Sequence, residues 1–183
     1  MICNKSDLDS IKKSALLLKN GEVLVLPTDT VYGFSGIIGK TDAKIRVIKG
    51  RSETKPFIVL ISDPAELKLI SDDIVPEKLS QFWPGPLTVI VKEKNSDKTV
   101  AVRCPGDSWL RSVINECGSP IYSTSVNRSG SPVLTKISDI CSEFEGDVAL
   151  IVSDGDSKSS VPSTIVKLEE NGYSVVREGA VKV

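Results

Sequence analysis

Thr164-Ile165-Val166-Lys167-Leu168-Glu169-Glu170-Asn171-Gly172-Tyr173-Ser174-Val175-Val176-Arg177 reads as two β-rich arms flanking Asn-Gly, the dipeptide that suits a two-residue hairpin turn because both positions tolerate positive φ. A hairpin demands an antiparallel pair. Upstream, helical and strand patterns alternate, an order that builds an α/β sheet. Together they predict a twisted, open, mixed α/β sheet with flanking helices. No internal repeat or linker interrupts the chain, so residues 1–183 are expected to form one domain.

Working outward, Ser6-Asp7-Leu8-Asp9 has the form of a capping box ahead of Leu8, Ile11, Ala15 and Leu18 at helical spacing, and Asn20-Gly21 ends that helix. Residues 22–26 form an apolar strand run closed by Pro27, and 28–40 are rich in Gly and hydroxyl residues. Thr41 or Asp42 caps a second helix carrying Ala43, Ile45 and Ile48, followed by a strand over 57–61. Short helices are predicted from Pro64 and over 76–82, and Trp83-Pro84-Gly85-Pro86 makes a rigid turn. Strands over 87–91, 100–104, 121–125 and 148–152 alternate with helices over 107–116 and 138–144. The polar stretch 153–161 is expected to be mobile, either a lid or a connection.

Composition excludes much. A chain of 183 residues with 40% hydrophobic content is long enough for a core without metal or disulfide staples. No apolar run approaches a membrane span and Met1-Ile2-Cys3-Asn4-Lys5 has no signal-peptide core, so a soluble, cytoplasmic protein with no membrane partner is expected. Cys3, Cys104, Cys117 and Cys141 are scattered, with no C-x-x-C pair, and histidine is absent. This removes Ser-His and Cys-His nucleophile pairs and the H-E-x-x-H metal helix. An enzyme built from these residues works by positioning and charge.

The charge is local. The net charge is −1, yet Lys49, Arg51 and Lys55 fall within Lys49-Gly50-Arg51-Ser52-Glu53-Thr54-Lys55, a cluster suited to a polyphosphate. Equally, three cations after a helix suit its dipole without binding anything. Gly39-Lys40-Thr41 matches the end of a P-loop, but Phe34 stands where that motif needs its first glycine. Three more polar islands follow or interrupt strands: Thr28-Asp29-Thr30, Arg103 within Val100-Ala101-Val102-Arg103-Cys104-Pro105, and Ser123-Thr124-Ser125-Val126-Asn127-Arg128-Ser129-Gly130. Each has an ordinary structural reading, as a turn, a structural ion pair or a self-satisfied loop.

The order of these islands resembles the YrdC/TsaC-type threonylcarbamoyl-AMP synthases. The matching stretches are Pro27-Thr28-Asp29-Thr30-Val31-Tyr32-Gly33, Lys49-Gly50-Arg51 with Lys55-Pro56, Phe82-Trp83-Pro84-Gly85-Pro86-Leu87-Thr88, and Val100 to Pro105. Ser125-Val126-Asn127 with Ser129-Gly130, Pro162-Ser163-Thr164-Ile165-Val166 and Val176-Arg177-Glu178-Gly179 complete the series. The resemblance implies a YrdC-like sheet whose positively charged concave face holds ATP beside L-threonine. It places Thr30, Arg103, Ser123 and Ser163 at the threonine and Arg51, Lys55, Thr99, Ser125, Asn127 and Arg177 at ATP. Lys49 and Arg51 would act electrostatically, with no protein nucleophile and no metal-ligating side chain; Mg2+ would arrive on the ATP phosphates.

Where family members carry Ala-Pro-Ser-Ala-Asn, this chain has Ser123-Thr124-Ser125-Val126-Asn127, and Leu60 and Val133 stand where some members place polar residues. The implied reaction joins L-threonine, bicarbonate or CO2, and ATP into threonylcarbamoyl-AMP and pyrophosphate, for a downstream tRNA-modifying transferase that makes threonylcarbamoyladenosine. Two alternatives remain at this point: a carbamoyl-adenylate-forming domain that uses another carbamoyl source, and a non-catalytic module with weak RNA binding in the same concavity.

Overall fold

The computed structural model describes residues 1–50 and 56–183. The strands are β1 (Ile2–Asn4), β2 (Leu24–Leu26), β3 (Gly33–Ile37), β4 (Ile58–Leu60), β5 (Leu87–Lys92), β6 (Thr99–Arg103), β7 (Ile121–Ser125), β8 (Leu150–Ser153), β9 (Thr164–Glu169) and β10 (Gly172–Arg177). The helices are α1 (Ser10–Lys19), α2 (Asp42–Lys49), α3 (Leu67–Ile70), α4 (Glu77–Ser80), α5 (Ser108–Cys117) and α6 (Ile137–Phe144). The strands form one sheet in the order β1-β8-β2-β3-β7-β4-β6-β5-β9-β10. Pairing is mixed, as the interleaved pattern and the hairpin require: β2 runs parallel to β8 and antiparallel to β3.

Alternation along each strand sorts side chains onto two faces. Leu24, Leu26, Leu150, Val152 and Ile121 face front, where Ala15 and Leu18 of α1 and Leu110, Val113 and Ile114 of α5 cover them. Val25, Phe34 and Ile151 face back onto α2 and α6, with Phe34 and Phe144 edge to face at 4.9 Å. Further along, Val59, Val89, Val102 and Val166 also face back, onto Leu67, Leu79 and Trp83.

The structure corrects several expectations. Helix α1 begins at Ser10 and not within Ser6-Asp7-Leu8-Asp9; Asp9 makes no side-chain cap, and Leu8 is fully exposed. Asp7 instead closes a turn, accepting from Asn4 N at 2.9 Å. Strand β3 falls in the Gly-rich segment where no strand is legible, and β1 in a terminus with none predicted. The segment expected to be mobile is hydrogen-bonded. Tyr32 Oη donates to Gly155 O at 2.6 Å, Ser157 N donates to Thr135 O at 2.7 Å, and Ser157 Oγ donates to Thr30 O at 3.2 Å.

The hairpin is present with a shifted turn. Gly172 pairs with Glu169, so the two-residue loop is Glu170-Asn171, one step earlier than Asn-Gly at its centre. At the other end, Val175 pairs with Val166 and Arg177 with Ile165, leaving Val176 as a bulge. Since successive strand residues alternate faces, this extra residue turns Arg177 to the side that Ile165 occupies.

Candidate active site

Among the described residues, the front face beyond Ile121 carries no helix. There β7, β4, β6, β5, β9 and β10 enclose a cavity of ≈ 280 Å3. Six residues expected at the ligands line it: Thr30, Arg103, Ser123, Ser125, Ser163 and Arg177. Its floor is aliphatic, from Ile58, Leu60, Ile90, Ala101 and Ile165, and Val133 stands in its wall. Leu60 and Val133 thus contribute packing surface where a polar contact would need another side chain.

Arg103 is 5% exposed, so its charge needs partners. Its Nη2 donates to Asp29 Oδ1 in an ion pair, Nη1 to Thr30 Oγ1 at 3.0 Å and Nε to Gly85 O at 3.1 Å. Asp29 was legible only as part of the Thr28-Asp29-Thr30 island, and the structural carboxylate anticipated for Arg103 is this one. The Thr28 hydroxyl donates to Val31 O at 2.8 Å and accepts from Thr30 N at 3.0 Å. Its 3.0 Å contact with Thr30 Oγ1 is therefore one in which Thr30 donates. Thr30 is left with a lone pair toward the cavity.

On the opposite wall, Arg177 donates to Ser163 O from Nη2 at 2.7 Å and from Nε at 3.2 Å, and to Ser163 Oγ from Nη2 at 3.3 Å. Partial burial, and after it the like charge of Arg103, lower the Arg177 pKa from the ordinary guanidinium value. Arg177 stays charged all the same. An anion placed between the two guanidiniums would offset the like-charge repulsion.

Lys49 and Asn127 stand behind the wall. Lys49 is 2% exposed, with Nζ donating to Asn127 Oδ1 at 2.8 Å, to Asn127 O at 3.0 Å and to Ser125 O. Ser125 Oγ donates to Asn127 Oδ1 at 2.8 Å. The loop answers back: Ser129 N donates to Lys49 O at 2.7 Å, and Arg128 Nη1 to Ile48 O. These bonds satisfy carbonyls that the end of α2 leaves open. Lys49 is thereby a brace of the Ser125–Asn127 loop, not a lining group.

Thr99 stands apart, exposed at the start of β6 and outside the cavity lining. Arg51 and Lys55 lie outside the described residues. Sequence reasoning also missed Thr88, fully buried on β5, whose Oγ1 is 2.8 Å from Ser163 Oγ. The available signal was one hydroxyl within the apolar run Leu87-Thr88-Val89-Ile90-Val91. Among the described residues, no three His, Cys, Asp or Glu side chains converge to hold a metal, and no helix is long and apolar enough to cross a membrane.

Comparison with known proteins places this geometry. The chain is 34% identical over 186 residues to the threonylcarbamoyl-AMP synthase of Bacillus subtilis, covering 93% of this chain and 54% of that protein. It is 30% identical over 191 residues to a putative threonylcarbamoyl-AMP synthase of Methanocaldococcus jannaschii, covering 98% and 88%. The structure of P. abyssi Sua5 complexed with L-threonine superposes with a TM-score of 0.84 at 29% identity, over 92% of this chain and 54% of that one. E. coli YciO superposes with a TM-score of 0.86 at 26% identity, over 100% and 95%. The chain thus spans about half the length of several relatives it matches. The model of the Sua5_yciO_yrdC family, described as telomere recombination, matches residues 16–179, and the chain belongs to that family.

Proposed function

We propose that this chain is a nucleotidyltransferase that makes threonylcarbamoyl-AMP and pyrophosphate from L-threonine, bicarbonate or CO2, and ATP. What carries this is the convergence of Thr30, Arg103, Ser123, Ser125, Ser163 and Arg177 on one cavity, from segments spread over most of the chain. The names of the relatives, and the threonine complex of one of them, support the same chemistry.

The reaction needs no protein nucleophile. The threonine amine adds to CO2 with loss of a proton, or condenses with bicarbonate with loss of water, and a carbamate oxygen then attacks the α-phosphorus as pyrophosphate leaves. Arg103, already oriented by Asp29 and Gly85, binds the threonine carboxylate with Ser163 beside it. The Thr30 lone pair accepts from the amine. Arg177 and Ser125 bind the nucleotide, with Arg51 and Lys55 adding charge against the triphosphate. Lys49 and Asn127 hold the Ser125 loop in register. Mg2+ would travel on the phosphates, because among the described residues the carboxylate at the Arg103 wall, Asp29, is already paired. Holding the reactants together contributes up to about 7–11 kcal/mol in the best intramolecular cases.

The product would pass to a transferase acting on tRNA. The test is pyrophosphate release from ATP with threonine and bicarbonate omitted in turn. Dependence on both is expected. Release that needs carbamoyl phosphate and ignores threonine would move the chain to carbamoyl-adenylate formation, and salt-sensitive RNA binding without release would make it a binding module.

A further inference from the structure

Thr88 sits on the front face of β5, one step along the strand from the Val89–Val102 pair and therefore alongside Arg103. On its other side, Leu87 pairs with Thr164 and Thr88 with Ile165, which brings Ser163 within reach. Thr88 is fully buried and does not line the cavity; Ser163 is 2% exposed and does. Their oxygens are 2.8 Å apart, and geometry alone leaves open which one donates.

Proton accounting decides the direction. Among the described residues, Ser163 Oγ is the one partner that Thr88 Oγ1 has. If Ser163 donated, the Thr88 proton would be sealed in the sheet with no acceptor, a buried donor costing about 1–3 kcal/mol. If Thr88 donates, its proton is satisfied. Ser163 Oγ then accepts from both Thr88 and Arg177 Nη2, which fills its lone pairs. Its own proton has only the cavity to point toward.

We propose that Thr88 is a positioning residue that fixes Ser163 as a hydrogen-bond donor toward the ligand, so that Ser163 and Arg103 together recognise an oxygen anion. Thr30, whose proton is taken by Thr28, has the opposite polarity across Arg103. The amino-acid subsite is thus polarised, with an acceptor on one wall and donors on the other. This matches a zwitterion with its amine toward Thr30 and its carboxylate, or the carbamate grown from its amine, toward Ser163. The inference rests on the threonine reading of the cavity.

The test is a double-mutant cycle read by calorimetric threonine binding and by KM for threonine and for ATP. Thr88→Val keeps the shape and removes the donor, and should weaken threonine binding roughly fivefold with KM for ATP unchanged. Thr88→Ser should restore binding to within about twofold. In a Ser163→Ala background, Thr88→Val should change nothing further, because the effect runs through Ser163. Additive losses in the double variant, or unchanged threonine binding in a Thr88→Val protein of wild-type melting temperature, would overturn the positioning role. If Thr88→Val does not fold, the Thr88→Ser and Thr88→Ala pair decides: equal threonine affinity in both overturns the role. Failure of the wild-type protein to bind threonine is a different result, and overturns the proposed function together with this inference.

Discussion

One half of the sheet is packed under helices on both faces and the other, among the described residues, on only one, and the active site lies on the face that no helix covers. In β2, β8 and the first residue of β7, the front positions are Leu24, Leu26, Leu150, Val152 and Ile121, sealed under α1 and α5. In the half that contains β6, β5 and β9, the corresponding front positions include Arg103, Thr88 and Ser163. Strand β7 crosses the seam, with Ile121 in the core and Ser123 and Ser125 in the cavity on the same face. Both halves have an apolar back. The contrast shows that a functional face needs no special backbone, only strands whose back carries the packing while the front is released to polar residues.

The comparison breaks most sharply at Arg103. Arg103→Ala should raise the KM for threonine roughly 100- to 1,000-fold, with a far smaller change for ATP, because truncation removes a buried cation and strands Asp29. Equal effects on both substrates in steady-state kinetics would mean that the open half is not divided into subsites. Across the seam, Leu150→Ala should lower the unfolding free energy by about 3 kcal/mol in denaturant titration and leave both KM values unchanged.

Lys49→Met tests the brace of the Ser125–Asn127 loop, where β7 leaves the seam. The variant should lose about tenfold in ATP affinity by calorimetry, since Ser125 O and the Asn127 side chain lose a charged donor, and threonine affinity should hold. A parallel loss of threonine affinity would assign Lys49 to the whole cavity.

The smallest effect is alkaline. Burial, with Arg111 opposing it, pushes the Cys104 thiol from 9.0 up to about 12. The unfolded chain therefore releases this proton first as pH rises above 9.0, the folded chain holds more protons, and stability falls between there and about 12. Cys104→Ala should flatten that part of the stability profile, and an unaltered slope would show that Tyr122, also raised to about 12 chiefly by burial, dominates it.

The sheet was legible wherever apolar runs or a turn dipeptide announced strands, as at Leu24 to Leu26 and around Asn171-Gly172. Strand β3 was not, because its composition answers to neighbours and not to strand propensity. A side chain at Gly33 would collide with Ser123 Oγ, and one at Gly36 with Thr41. These glycines let other residues approach, which no local pattern records. The site was legible mainly through family resemblance. Periodicity flagged Arg103 as an expensive charge in an apolar strand, but nothing local pointed to Asp29 as its partner. Thr88 was hidden for a similar reason, since its hydrogen-bond partner lies 75 residues away.

The bulge at Val176 gives the tail of the chain one residue of slack. Deleting Val176 would join Arg177 directly to Val175 in a regular ladder and leave it opposite Ile165, on the same side of the ribbon, while removing the extra local twist that a bulge confers. The ribbon can therefore lose this one residue and still present its guanidinium to the cavity, because the partner strand and not the residue count fixes the side.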